Sequence, residues 1–166
     1  MIKQPEIKKP VVKQPVVKQL DSIYYVKDFT CEVDSLNAYL KTHIWDDIDK
    51  NLLSCFAAIN NSMEVVGYYT LTTQTLSTNN SKSASVVFIG HLARDKKHRG
   101  TGLGEHLLID ALLRSYTLSK ASIDSIGIVV DPIDAFVETL YAKYGFIKLH
   151  DSGKMFIPMN VVEQLI

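Results

Sequence analysis

Apolar positions along the chain fall into two alternating rhythms. Residues 22–26 read as a short strand, after which Val33, Leu36, Leu40 and Ile44 recur at helical spacing and give one buried stripe. Residues 45–53 continue as a second short helix. A strand over 54–59, the turn residues Asn60-Asn61-Ser62 and a long Tyr/Thr/Val-rich strand over 65–76 read as an antiparallel hairpin. The polar run 77–83 is a loop, followed by a fourth strand over 85–93. Leu103, Leu107, Leu108, Ala111 and Leu112 then line one face of a helix reaching about residue 116. The unbroken apolar run 126–130 suits a strand covered on both faces. A helix over 133–143 is ended by Gly145, and strand-like segments follow at 146–150 and 154–158. Strands, helix, strand, helix, strands: the order predicts an α/β fold, a mixed central sheet with helices on both faces.

Residues 1–20 stand apart. Pro5, Pro10 and Pro15 recur every five residues and Val-Val-Lys-Gln occurs twice, so a flexible, extended Lys/Pro-rich arm is expected there, with one folded domain over 21–166. At 166 residues and 46% hydrophobic content, the chain can bury about two thirds of its unfolded surface. Formal net charge is zero, but five lysines against Glu6 give the arm +4 and leave −4 for the remainder. A domain so charged lacks the overall basic balance of a nucleic-acid binder, so any polyanion contact must rest on a local patch. Cys31 and Cys55 lie far apart with no metal-ligand spacing, which predicts buried free thiols and no metal site. Without an apolar leader or membrane-length run, the expectation is a cytoplasmic protein with no membrane contact.

Candidate chemistry centres on Arg99-Gly100-Thr101-Gly102-Leu103-Gly104. A helix starting near Gly102 points unpaired amides and a positive dipole end outward, the glycines clear the approach, and Arg99 adds a charged donor. A diphosphate fits such a turn, although glycines placed only for a tight strand-to-helix turn would give the same pattern. A dinucleotide motif is disfavoured because its third glycine would fall on Glu105, and no Gly-Lys-Ser/Thr follows for a P-loop. The basic run Arg94, Lys96, Lys97 and His98 stands beside the turn as a source of further phosphate contacts.

Leu92-Ala93-Arg94-Asp95 followed by this turn resembles the acyl-CoA signature of the GNAT acetyltransferases, and Leu140-Tyr141-Ala142-Lys143-Tyr144-Gly145-Phe146 resembles the family's FYxxxGF segment. Phe29-Thr30-Cys31-Glu32, Leu36-Asn37-Ala38-Tyr39-Leu40 and Val66-Gly67-Tyr68-Tyr69-Thr70-Leu71 are similar to the branch containing toxin-antitoxin acetyltransferases that modify aminoacyl-tRNA. The resemblance covers about residues 22–159. It implies a GNAT acyl-CoA N-acyltransferase fold and acetyl-CoA as cofactor, with Leu92, Ala93, Arg94, Arg99, Gly100, Thr101, Gly102, Leu103 and Gly104 binding it. Pantetheine would lie between the splayed fourth and fifth strands, and Tyr141 would act as the acid that protonates the departing thiolate. A phenol of pKa about 10 can serve a thiolate of basicity about 8.5. His91, on the fourth strand, could relay a proton or be structural, and water could equally deprotonate the amine.

The acceptor is a primary amine, with three readings open. The resemblance points to the amino group of aminoacyl-tRNA, and with it to an antitoxin protein and a second copy of the chain as partners. Where the branch's toxins place arginines after the first helix, this chain has Trp45-Asp46-Asp47-Ile48-Asp49, which suits a cationic small amine or a peptide amine. Those aspartates also read as a solvated helix face. A non-catalytic acyl-CoA-binding module is the third.

Overall fold

A computed structural model describes residues 13–77, 83–121, 125–150 and 152–166; the prolines at 5 and 10 and most of the Lys/Pro-rich arm lie outside the described residues. Hydrogen bonding orders seven strands β1 (Val16–Gln19), β2 (Ser54–Ile59), β3 (Val65–Ser77), β4 (Ser83–Arg94), β5 (Gly127–Val130), β7 (Met155–Pro158) and β6 (Ile147–Lys148), in that sequence across the sheet. β4 and β5 run parallel, whereas β1–β2, β2–β3, β5–β7 and β7–β6 are antiparallel, giving the mixed sheet expected. Residue contacts divide the described residues into two units, one within Lys9–Thr72 and His91–Ala111, the other within Thr73–Gly90 and Leu112–Ile166.

In the first of these units the opening strand lies upstream of its expected place. β1 is formed by Val16–Gln19, within the segment expected as an arm, and pairs with β2 from Val16↔Ile59 to Gln19↔Phe56. Residues 22–26 form no strand, because Asp21 takes over locally: its Oδ1 accepts from Ile23 N at 3.0 Å and its carbonyl from Tyr24 N at 3.2 Å. Tyr25 keeps only an isolated bridge to Glu64. Of the expected stripe, Leu36, Leu40 and Ile44 are helical while Val33 is the extended residue that precedes the helix, and α1 (Asp34–Ala38) continues through a π-helical turn (Tyr39–His43) into α2 (Ile44–Asp49). Leu40 and Ile44 are buried with Phe29, Cys31, Cys55, Ala57, Tyr68 and Ala93. Both cysteines are free and buried. Adjacent β3 residues reach opposite faces of the sheet: Tyr68 Oη donates to Leu36 O at 2.7 Å on α1, and Tyr69 Oη to Asp110 on α3 (Leu103–Ala121). Helices therefore cover both faces. Gly67 permits this closeness, since a Cβ there would stand 2.8 Å from Leu107 Cδ1.

In the other unit β5 is buried throughout, as its apolar run requires, and pairs with β4 over Val87↔Ile128 to Ile89↔Val130. α4 (Ala135–Lys143) starts on Asp134, whose Oδ1 accepts from Val137 N at 2.8 Å. The chain then adds α5 (Met159–Leu165), unforeseen from sequence, with Met159, Val162 and Leu165 buried. α3 itself runs five residues past its expected end. No helix among the described residues is long and apolar enough to cross a membrane.

A tight backbone approach is at Gly127, where a Cβ would overlap the carbonyl oxygen of Ile157 and the Phe156 ring on β7. Gly127→Ala is expected to lower stability by roughly 1–3 kcal/mol in urea unfolding, because the overlap is with backbone that cannot rotate away.

Candidate active site

The glycine turn is assembled from β4 outward. Asp95 follows β4 and is only 4% exposed; its carboxyl accepts from Thr30 N at 3.1 Å and Lys97 N at 2.9 Å, while its own amide donates to Val66 O. That cap sets a short 3-10 turn (Lys96–His98), and Arg99 N and Thr101 N then donate to Lys96 O and His98 O. Gly100 (φ 79°) and Gly102 (φ 84°) adopt the left-handed conformation that lets the chain turn into α3. Gly102 O accepts the first helical bond, from His106 N, so the amides from Leu103 onward open the helix. Gln14 Nε2 holds Thr101 O at 2.8 Å from the other side.

This geometry fits a diphosphate. A Cβ on Gly100 would meet nothing within 4 Å, and Gly104's would come no nearer than 3.8 Å to Arg94 Cδ, so the glycines leave open space at a helix N-terminus. Arg99 is exposed and Arg94 stands close by, both bonded to Glu32: Arg99 Nη2 at 2.6 Å and Arg94 Nη1 at 3.4 Å from Oε1. The Arg99 guanidinium holds the Glu32 carboxyl below the usual carboxylate range. Glu32, Gln14 and Asp95 were not foreseen as parts of the site; the only signal for Asp95 was its place in Leu92-Ala93-Arg94-Asp95. Of the basic run, Lys96 and Lys97 are exposed on the 3-10 turn. β4 runs on through Leu92, Ala93 and Arg94 beyond Ile89, its last residue paired with β5.

Tyr141 lies in the other unit, fixed by the way α4 ends. Phe146 N donates to Tyr141 O at 3.2 Å and Gly145 N to Ala142 O at 3.1 Å, with Gly145 at φ 106°: a Schellman end. Its accompanying apolar contact is Tyr141 against Phe146, ring centroids 5.3 Å apart. The Tyr-x-x-x-Gly-Phe spacing is thus a helix-termination device that also positions the tyrosine. Tyr141 is 6% exposed, and burial pushes its phenol up to about 12, so it keeps its proton throughout the physiological range.

A third group surrounds His91. Its ring stacks on Tyr39 at 4.0 Å with a 13° tilt, and Nδ1 lies 2.7 Å from Thr70 Oγ1. Tyr39 Oη donates to Asp47 Oδ2 at 2.6 Å, so one of the three aspartates read as a solvated face is half-buried and bonded inward; Asp46 and Asp49 are exposed. Among the described residues no cluster of His, Cys, Asp or Glu is arranged to hold a metal ion.

A sequence model of the acetyltransferase (GNAT) family matches residues 17–146. Among solved structures, the chain is similar to a Tyr-to-Phe mutant of the toxin AtaT bound to the C-terminus of the antitoxin AtaR, at TM-score 0.83 and 26% identity over 91% of this chain and 97% of that one. It is similar to AtaT complexed with acetyl-methionyl-tRNAfMet (TM-score 0.80, 25% identity, 90% and 98% covered). AtaTR bound with AcCoA matches at TM-score 0.80 and 26% identity, over 92% and 98%.

Glu32 would compete with a diphosphate bound at this turn for both guanidiniums. Glu32→Gln is expected to tighten AcCoA binding roughly two- to five-fold in low-salt calorimetry, the scale of an exposed ion pair, with the gain lost at high salt.

Proposed function

The chain belongs to the GNAT acetyltransferase family, and from that premise we propose that it moves an acetyl group from acetyl-CoA to the amino group of aminoacyl-tRNA, as the toxin of a toxin-antitoxin module. The observation that carries the acetyl-CoA part is the turn before α3: two left-handed glycines, open space above Gly100, and Arg99 beside a helix N-terminus. Support for the acceptor comes from similarity over nine tenths of the chain to AtaT, which has been solved with acetyl-methionyl-tRNAfMet. The same similarity supports an antitoxin protein as partner, and a charged-tRNA substrate places the protein in the cytoplasm.

Bound acetyl-CoA supplies the acetyl group as a thioester already activated toward amines. Arg99 and the backbone of Gly100, Thr101, Gly102, Leu103 and Gly104 hold the diphosphate, with Arg94 adding charge. Backbone groups of Leu92, Ala93 and Arg94, beyond the end of the β4–β5 pairing, serve the pantetheine arm, where side-chain identity matters little. Tyr141 Oη carries a proton at every physiological pH, and donates it toward the leaving sulfur. The phenol's pKa already lies above that of a thiol, about 8.5, and burial raises it further, so its first contribution is a strong hydrogen bond, and full proton transfer requires the developing thiolate.

A second acceptor, a cationic small amine or a peptide amine, is favoured by the exposed Asp46 and Asp49 on α2.

Radiolabelled acetyl-CoA offered to bulk aminoacyl-tRNA beside a polyamine and peptide panel separates the two. Label on charged tRNA is expected, and Tyr141→Phe is expected to slow transfer by about 10²–10⁴ while leaving acetyl-CoA affinity within a few-fold. Label confined to polyamines or peptides would reject the tRNA reading and keep the acetyltransferase. Unchanged turnover in the variant would remove Tyr141 from the chemistry.

A further inference from the structure

The transfer just described needs a neutral amine, and an α-amino group of pKa about 7.7–8.0 is mostly ammonium at neutral pH. Tyr141 holds a proton and cannot accept one. His91 lies on β4 immediately before Leu92, and its surroundings prepare it to accept. Thr70, 1% exposed, fixes Nδ1 at 2.7 Å, and the Tyr39 ring lies flat against the imidazole at 4.0 Å. Among the described residues Nε2 has no hydrogen-bond partner, and it is not one of the fully enclosed atoms.

Charge around the ring is equally defined. Burial lowers the His91 pKa and Asp47 on α2 opposes that shift, leaving a ring that is neutral at pH 7 with a carboxylate nearby. Tyr39 on the π-helical turn and Tyr68 on β3, 6.5 Å away centroid to centroid, face it as neutral phenols, both pushed up by burial. Cys55, opposite Thr70 in the β2–β3 register, is likewise pushed up and uncharged. The Asp47 oxygen that does not receive Tyr39 Oη has no hydrogen-bond partner among the described residues and adds attraction for a cation.

We infer that His91 is the base that takes the proton from the acceptor ammonium. A bond forms between Nε2 and that proton as the substrate N–H bond breaks, leaving a neutral amine with its lone pair free and an imidazolium that passes the proton to water. While it lasts, the imidazolium lies on the Tyr39 face, in the field of Asp47. Thr70 is a positioning residue, which by accepting from Nδ1–H keeps the lone pair on Nε2. This inference rests on the acetyltransferase reading but not on which amine is the acceptor.

The test is kcat/KM against pH for wild type, His91→Gln and His91→Asn, on whichever amine of the tRNA, polyamine and peptide panel takes label. Asparagine can still donate to Thr70 Oγ1, so it preserves the local contact while removing the base. Both variants are expected to lose about 100-fold or more well below the acceptor's own pKa, narrowing to a few-fold about one unit above it, near pH 9 for an α-amino group and near pH 11 for an alkylamine, where the amine is already neutral. A loss that stays constant across pH, or no loss, would overturn the inference, since a structural role gives no such convergence. Long-range nitrogen NMR on the ligand-free protein gives an independent reading: a proton on Nδ1 and a lone pair on Nε2 are expected, and the opposite tautomer would overturn it. Label absent from charged tRNA but present on another amine, with the ratio converging, would reject the tRNA substrate and uphold His91; no label on any amine would overturn both.

Discussion

The Asp95 carboxyl is the constraint on which the cofactor-binding end of the molecule depends. One buried group receives Thr30 N and Lys97 N, while the amide of the same residue pairs with β3 and the next amide, Lys96 N, with Thr30 O. Three stretches of chain far apart in sequence thus meet at the end of β4. Removing the carboxyl would leave two amides without their acceptor, each worth about 1–3 kcal/mol when buried. The 3-10 turn, the two left-handed glycines and the start of α3 all follow from the direction this cap imposes on the backbone. A longer acidic side chain would displace the turn, and asparagine would place a donor where one of the amides needs an acceptor.

Electrostatics at the site are decided by pairs rather than by totals. The net charge of −4 outside the arm says little about the glycine turn, where Arg94 and Arg99 share the single carboxyl of Glu32 and leave a local positive excess. The aspartates after the first helix divide in the same way. Asp46 and Asp49 face solvent, whereas Asp47 is turned inward by the Tyr39 hydroxyl. Lys148 pairs with Glu138, and Lys143 and Lys154 lie over aromatic rings, so the charges of these lysines are engaged locally.

What could be read from sequence was what repeats or what a single residue type enforces. The stripe from Leu103 to Leu112 is buried as its spacing required, β2 and the start of β3 fall where alternation put them, and Gly145 ends α4. The glycine turn was legible for the same reason, since few residues other than glycine tolerate φ near +80°. Side chains that bond distant backbone leave no such trace. Asp95 to Thr30 spans 65 positions and Gln14 to Thr101 spans 87, and neither has a periodic signature. The first strand was misplaced because two valine-lysine runs among prolines look like an arm, and only pairing with β2 makes one of them a strand. The π-helical turn also escaped, because one extra residue per turn hardly disturbs a four-residue stripe.

Tyr141 and His91 illustrate how one physical cause can prepare two opposite roles. Burial disfavours the charged form of any group, so it raises a phenol and lowers an imidazole. Both are then neutral at pH 7, the phenol with a proton to offer and the imidazole with a lone pair to receive one. Amide formation from an ammonium and a thioester needs one group of each kind, and exposure to water would blunt both. Partners then separate a functional group from a merely buried one. Tyr68 is buried as deeply as Tyr141, but its hydroxyl is spent on Leu36 O. His91 engages Thr70 through one nitrogen and keeps the other open. Burial shifts the phenols of Tyr39, Tyr68 and Tyr141 upward and the His91 imidazole downward; the hydroxyls of Tyr39 and Tyr68 are committed to Asp47 and Leu36 O, so a shift alone does not make a proton site available.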